Sequence, residues 1–261
     1  FEAIDQIDSI LPLCAGVMVA RGDLGAEMPA EEAPLLQKEL IQKANSLGIP
    51  IITATQMLDS MASSPRPTRA EVSDVANAIL DGTDAVMLSN ETAVGDFPVE
   101  AVETMATIAR RIEKDYPQRM IDSHLPSTIP NAISIAVSTI AAHLNASAIL
   151  PLTKSGATAH NVSKFRPAAP VLAITSDEAV ARKLQLVWGV TPLVTEVQER
   201  TSATFAAAMA IAHERGWLKS GDLVVQTAGT QPAVSGSTDL VKVGIVGNDG
   251  LLDNGLAHAT I

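Results

Sequence analysis

A chain of 261 residues with 47% hydrophobic and 18% charged side chains has room for one large or two ordinary domains and enough apolar content to fill their cores, which excludes a disordered protein. Acidic residues number 29 against 18 basic, a formal charge of −11, and aromatics are 3%; a nucleic-acid backbone, a single-strand stacking surface and an anionic membrane are all poor partners for such a chain. The lone Cys14 has no internal disulfide partner, no apolar run has bilayer-spanning length, and no signal-peptide pattern is seen, so a reducing, cytoplasmic setting is expected.

The chain opens on an amphipathic segment, Phe1–Leu13, with no strand before it. Ala15–Ala20 (A-G-V-M-V-A) is an apolar run of strand length, and the following R-G-D-L-G reads as a turn. Helical periodicity fills Glu31–Leu47, with Pro29 near its start and Gly48 just past its end. Pro50–Thr55 predicts a second strand, Ala70–Leu80 a helix, Asp84–Leu88 a third strand and Pro98–Lys114 a third helix. Strands centred near residues 17, 52 and 86 recur evenly, the pattern of βα units on a parallel sheet. A barrel takes eight such strands, so the segment is either a small open sheet or the end of a barrel whose earlier strands lie outside this sequence.

Asp115–Pro130 carries Pro117, Pro126 and Pro130 with little periodicity and reads as a linker. Beyond it come helix Ala132–Leu144, strand Ala146–Leu152, helix Thr158–Phe165, strand Val171–Thr175, helix Glu178–Leu186 and helix Ser202–Gly216. The strands Leu223–Thr227 and Leu240–Val246 have no helix-length segment between them and are expected to pair antiparallel at a sheet edge. The fold class is α/β in two parts, residues 1–117 and 118–246, with an unassigned tail at 247–261.

In parallel α/β architectures ligands meet the carboxyl ends of the strands. In the first part that face holds Arg21, Gly22 and Asp23, then Thr53 and Thr55, then Ser89, Asn90, Glu91 and Thr92. A carboxylate, an arginine and several hydroxyls there suit a phosphorylated ligand with Mg²⁺ at Asp23, since that ion takes one or two protein carboxylates and fills its other positions with water and phosphate. The plainer alternative pairs Asp23 with Arg21 or uses it as a turn cap, and makes Thr55 structural. In the second part, L-T-K-S-G-A-T-A-H (Leu152–His160) leaves a strand and enters a helix. Thr153, Lys154, Ser155, Gly156 and Thr158 form either a phosphate-binding turn or an ordinary capped strand–helix joint. A Walker loop, a G-x-G-x-x-G fingerprint, a G-x-S-x-G elbow and H-E-x-x-H are all absent, and the five histidines are scattered.

Four blocks in the first part, M-V-A-R-G-D-L-G (Met18–Gly25), I-T-A-T-Q-M-L (Ile52–Leu58), R-P-T-R-A-E-V-S-D-V-A-N-A-I-L-D-G (Arg66–Gly82) and M-L-S-N-E-T-A-V-G (Met87–Gly95), together with T-K-S-G in the second, resemble pyruvate kinases, in the same order and spacing. The resemblance implies the last strands of a (β/α)₈ TIM barrel followed by a separate α/β regulatory domain. It implies transfer of the phosphoryl group of phosphoenolpyruvate to ADP, giving pyruvate and ATP, with Mg²⁺ (or Mn²⁺) and K⁺, in a cytoplasmic homotetramer activated by a sugar phosphate. It makes Asp23 a metal ligand, puts the backbone of Ala20, Arg21 and Gly22 and the hydroxyl of Thr55 on the substrate carboxylate, and places Ser89 near the site where the enolate is protonated. It also puts Arg66–Glu71 close to a subunit interface and the activator's phosphate at Thr153–Thr158.

The same resemblance places the family's catalytic lysine and second metal-binding glutamate just ahead of Phe1, and its potassium ligands further upstream. A polypeptide of these residues alone is therefore expected to be inactive, and the alternative to an enzyme is an effector-binding or oligomerisation module. The segment Gly229–Asp239 lacks the tryptophan and arginine with which animal-type members grip fructose 1,6-bisphosphate, which leaves glucose 6-phosphate and ribose 5-phosphate equally open as activators. The 247–261 tail is either a linker or the start of an extra C-terminal domain.

Overall fold

In the computed structural model, which describes residues 2–29, 31–114, 127–229 and 238–253, the three apolar runs of the first half become parallel strands β1 (Val17–Ala20), β2 (Ile51–Ala54) and β3 (Ala85–Val86), side by side in that order. The chain divides into two compact units, Phe1–Pro117 and Gln118–Ile261.

The first unit begins with the short helices α1 (Glu2–Asp5) and α2 (Ile7–Ile10) and a 3₁₀ turn at Leu11–Leu13. After β1 comes α3 (Arg21–Glu27), where the sequence reads as a turn. Two glycines lower its intrinsic propensity by roughly 1 kcal/mol each. Packing overrides them, because Leu24 and the following Met28 lie against the cluster of Val19, Ile41 and Ile51. Helix α4 (Ala33–Leu47) buries Leu36, Leu40 and Ala44, spaced by four, on that cluster and ends at Gly48, whose φ of 71° lets its N–H reach back to Ala44 and Asn45. Helix α5 (Arg69–Asp81) follows β2 and is opened by a capping box, Thr68 with Glu71. The third strand has only two ladder residues, shorter than the apolar run, because the chain turns at Ser89 into α6 (Asn90–Ala93). Helix α7 (Pro98–Lys114) has the predicted bounds and packs Ala101, Met105 and Ile108 on Val75, Ala78 and Ile79 of α5.

In the second unit, α8 (Ile129–His143) starts inside the stretch read as a linker. Thr128 caps it by accepting from the Asn131 N–H, and Pro130 sits in the first turn, where a missing N–H costs nothing. The rest of that predicted linker, 115–126, lies outside the described residues, as do 230–237 and 254–261. There follow β4 (Ala148–Pro151), α9 (Ala157–Ser163), β5 (Val171–Thr175), α10 (Glu178–Leu184), β6 (Val190–Val194), α11 (Thr201–Glu214), β7 (Leu223–Gly229), β8 (Thr238–Val246) and β9 (Leu252–Asp253).

The spatial order is β6-β5-β4-β7-β8-β9, parallel through β7 and antiparallel beyond. Strand β6 is missing from the sequence-based reading because Pro192 interrupts its pattern; at the end of the sheet, a proline's lack of an N–H is tolerated. The predicted antiparallel pair is β7 and β8, but β9 lies outside it, so β8 is not the edge. The sheet is buried on both faces, and alternation along the strands sorts the core in two. Leu150, Ile174, Val224 and Ala228 face α11, whereas Ile149, Val171, Ala173 and Val225 face α8, α9 and α10. Chain order reverses between β4 and β7, the arrangement of a doubly wound sheet.

Candidate functional site

Parallel register puts Ala20 opposite Ala54, so Arg21 and Thr55 leave β1 and β2 at the same level. Thr55 and Gln56 have φ of 68° and 53°, left-handed values that a β-branched threonine rarely takes. The α3 start holds this turn. The Gly22 N–H donates to Thr55 Oγ1 at 2.8 Å, and the Thr55 hydroxyl donates to the Ala54 carbonyl at 2.6 Å. The Arg21 guanidinium donates to the carbonyl of Thr55 at 2.7 Å and to that of Gln56 at 3.3 Å, while its other nitrogen meets the Asp74 carboxylate at 2.6 Å. Arg21 thus pairs with Asp74 of α5 and not with Asp23, the partner of the plainer sequence reading. Asp23 lies in the first turn of α3, exposed, and makes no hydrogen bond or ion pair among the described residues.

Two residues read as facing the ligand do not. Thr53 is wholly buried and its hydroxyl donates to Thr83 Oγ1 at 3.1 Å. Glu91 is 1% exposed, and its carboxylate accepts from the Leu58 N–H at 2.9 Å and the Ser89 N–H at 2.7 Å. It is a buried staple joining the segment after β2 to the start of α6. Ser89 ends the β3 segment just before α6, and Met87 N–H still pairs with Thr53 C=O at 3.0 Å, which sets Ser89 beyond the carboxyl end of β3, the strand next to β2. Asn90 and Thr92 are exposed, with Thr92 Oγ1 on the Ser89 carbonyl at 3.4 Å.

The Arg66–Glu71 stretch is organised by the Glu71 carboxylate. Burial raises its pKa, but hydrogen bonds from Ser60 N–H and Oγ (2.7 and 2.6 Å) and from Thr68 N–H and Oγ1 (2.7 and 2.8 Å) outweigh this and hold it below the usual carboxylate value. The T-x-x-E spacing that signals this box is plain in the sequence. Nothing comparable marks Asp74 as the partner of an arginine 53 residues earlier.

The second candidate loop leaves β4. Thr153 and Thr158 are buried; Thr153 Oγ1 accepts from the Gly156 N–H at 3.0 Å, and Thr158 Oγ1 meets Thr238 Oγ1 at 2.9 Å. Gly156 has φ of 93° and is itself buried against His160 and Leu184. Lys154 and Ser155 are the exposed polar residues of the turn. The loop lies where the sheet's chain order reverses, the crevice in which doubly wound sheets hold ligands.

Chemically, the first site offers one outward carboxylate, a hydroxyl beside a strained turn, and a second hydroxyl at the neighbouring strand end. Among the described residues no three His, Cys, Asp or Glu side chains come together. A single carboxylate of this kind fits a Mg²⁺ or Mn²⁺ ion whose remaining positions go to water and substrate oxygens. No helix is long and apolar enough to cross a membrane among the described residues.

Comparison with known proteins agrees with both units. The model for the pyruvate kinase barrel domain matches residues 1–102, and that for the pyruvate kinase alpha/beta domain matches residues 131–244. "Pyruvate kinase 2" of Synechocystis sp. is 63% identical over 245 residues, 94% of this chain and 42% of that protein. A "Pyruvate kinase" of Clostridium acetobutylicum is 49% identical over 249 residues (94% and 53%), and one of Staphylococcus epidermidis 47% identical over 264 residues (100% and 45%). The chain spans about half the length of the curated relatives it matches. Two family models laid end to end over an α/β barrel fragment and a separate α/β unit, with these relatives, show that the chain belongs to the pyruvate kinase family.

Proposed function

We propose that the protein carrying this chain transfers the phosphoryl group of phosphoenolpyruvate to ADP, and that Asp23, Thr55 and Ser89 are the residues of this chain that meet the substrate. The observation that carries the reading is the strained Thr55 turn locked to the first turn of α3, next to the exposed Asp23 carboxylate, which has no hydrogen-bond or ion-pair partner among the described residues. Phosphoryl transfer asks a protein chiefly for positioning and for neutralisation of the phosphoryl oxygens. A divalent ion held by Asp23 would supply that neutralisation; K⁺ is required on the same reading, with no ligand among the residues assigned here. The backbone of Ala20, Arg21 and Gly22 and the Thr55 hydroxyl hold the substrate carboxylate; on binding, the hydroxyl proton turns from the Ala54 carbonyl toward that carboxylate. Arg21 serves from behind, keeping the turn in place. Ser89 at the adjacent strand end relays a proton to the enolate left by transfer.

Lys154 and Ser155, with the Thr153–Thr158 loop, receive the phosphate of a sugar-phosphate activator, and the protein works as a cytoplasmic homotetramer. The position of the loop at the reversal of strand order supports the activator site.

The test is a lactate-dehydrogenase-coupled assay of the protein in which this chain naturally occurs, with phosphoenolpyruvate, ADP, Mg²⁺ and K⁺. Wild type is expected to turn over, and Asp23→Asn to lose about 100-fold or more in kcat/KM with its circular dichroism unchanged. A folded wild type without turnover overturns the assignment of activity; an active Asp23→Asn overturns the site.

A further inference from the structure

Helix α11 does not lie flush on the second sheet along its whole length. A cavity of about 310 Å³ opens between it and the β7–β9 end of the sheet, within the size range of small-molecule sites. Phe205 and Met209, one helical turn apart, form one wall, and Leu240 of β8 with Leu251 and Leu252 forms the other.

The polar groups in this apolar space are few. Gln226 of β7 lies directly opposite Lys242 of β8, on the face that looks toward α11. Gln226 is 2% exposed, yet among the described residues its side chain bonds only to Met209 Sδ, at 3.1 Å. A thioether is a weak acceptor, so the amide N–H keeps capacity for a stronger partner. Lys242 lines the same cavity and its ammonium has no hydrogen bond or ion pair among the described residues, in a chain of net charge −11. Thr201 and Ser202, at the start of the 14-residue α11, add hydroxyls to the rim. The Gln226 amide and, in the opposite register position, the exposed Lys242 side chain border a space otherwise lined largely by leucine, phenylalanine and methionine, a combination that matches an anionic head on an apolar body.

We propose that this cavity binds a small monocarboxylic acid with an apolar body, its carboxylate on Lys242 and the Gln226 amide and its body between Phe205, Met209 and the leucines. A nucleotide or sugar fits less well, because among the described residues the walls are mainly leucine, phenylalanine and methionine, with the Thr201 and Ser202 hydroxyls only at the rim. The site shares no residue with the Thr153–Thr158 loop or with the Asp23 site.

The experiment measures 3-phenylpropionate, and its uncharged amide, on the protein in which this chain naturally occurs by saturation-transfer NMR and calorimetric titration. The acid is expected to bind with a Kd on the order of 1 mM or tighter, and the amide at least about tenfold more weakly. Lys242→Met should erase that preference while keeping the fold. Ala206→Phe, which fills the cavity from α11, should abolish binding of both; Ala206→Leu, a smaller intrusion, should weaken both if the phenylalanine variant proves misfolded. Equal affinity for acid and amide, an acid preference that survives Lys242→Met, or no saturable binding to the folded wild-type protein each overturn the proposal.

Discussion

Both units need a sharp turn where a parallel strand ends, and they make it by opposite means. After β4 the turn falls on Gly156, φ 93°, a conformation glycine takes without steric cost. After β2 it falls on Thr55 and Gln56, at φ 68° and 53°, which costs on the order of 1–3 kcal/mol for each such residue. The glycine turn is held locally, by a hydroxyl three residues away. The threonine turn is held by Arg21 and Gly22, 33 to 35 residues away, with Asp74 beyond them. Glycine at 55 would remove that residue's share of the strain and also the hydroxyl. Strain is kept where the side chain at the turn is wanted, and long-range bonds from neighbouring strands offset it.

If that contrast is right, removing its long-range supports should damage the first unit more than any local change damages the second. The largest effect is expected at Glu91. Glu91→Ala leaves the Leu58 and Ser89 N–H groups without their acceptor, and each charge-assisted bond is worth about 1.5–3 kcal/mol. A loss of about 3 kcal/mol or more is expected, read from urea unfolding, with native-state hydrogen exchange assigning it to residues 2–114. A loss under 1 kcal/mol would show that the staple is dispensable.

Arg21→Met comes next, at about 2 kcal/mol, for its bonds to Thr55 C=O and to Asp74. A double-mutant cycle sharpens the comparison. In a Thr55→Gly background the share of strain carried by residue 55 is gone, with Gln56 still left-handed, so Arg21→Met should cost about 1 kcal/mol less than in wild type. Full additivity would mean that Arg21 does not brace the turn. The converse change in the second unit, Gly156→Ala, should cost about 1–2 kcal/mol, because alanine at φ 93° is strained and its Cβ would press on His160 and Leu184 at 3.4 Å. Unchanged stability there would remove the distinction between the two turns.

How much of this was legible depended on whether the cause was local. Strand spacing near 17, 52 and 86 announced the parallel sheet, and Gly48 marked the end of α4, because periodicity and helix stops act within a few residues. Strand β6 was hidden by Pro192, whose harmlessness depends on its place at the sheet's end, a tertiary fact. Helix α3 was hidden by two glycines that packing of Leu24 and Met28 overrides. The candidate site was legible as residue types at strand ends, and the family blocks gathered them. What those types do was less legible: Glu91 and Thr53 look identical to ligand-facing groups until burial is known, and Asp74 carries no mark of its bond to Arg21.

The smallest effect expected is a pH dependence at Glu71, and it probes a bond set that is local, within the first unit. Burial there raises the carboxyl pKa, and the bonds from Ser60 and Thr68 more than offset it, so the folded value lies below the ordinary 4.5 of a glutamate. A group with a lowered folded pKa contributes stability that is present above 4.5 and is lost as pH falls through the folded value. Glu71→Gln keeps an acceptor for the capping box but removes the titration. Wild type should therefore exceed the variant by under about 1 kcal/mol at neutral pH, and the two should converge in acid, below the folded pKa. The measurement is urea unfolding of both proteins from neutral pH downward. A gap that stays constant with pH would mean that the amide's shape or lost bonds, and not the carboxylate's charge, set the difference, and that this local cap contributes no titrating stability to set against the long-range bonds of Glu91 and Arg21.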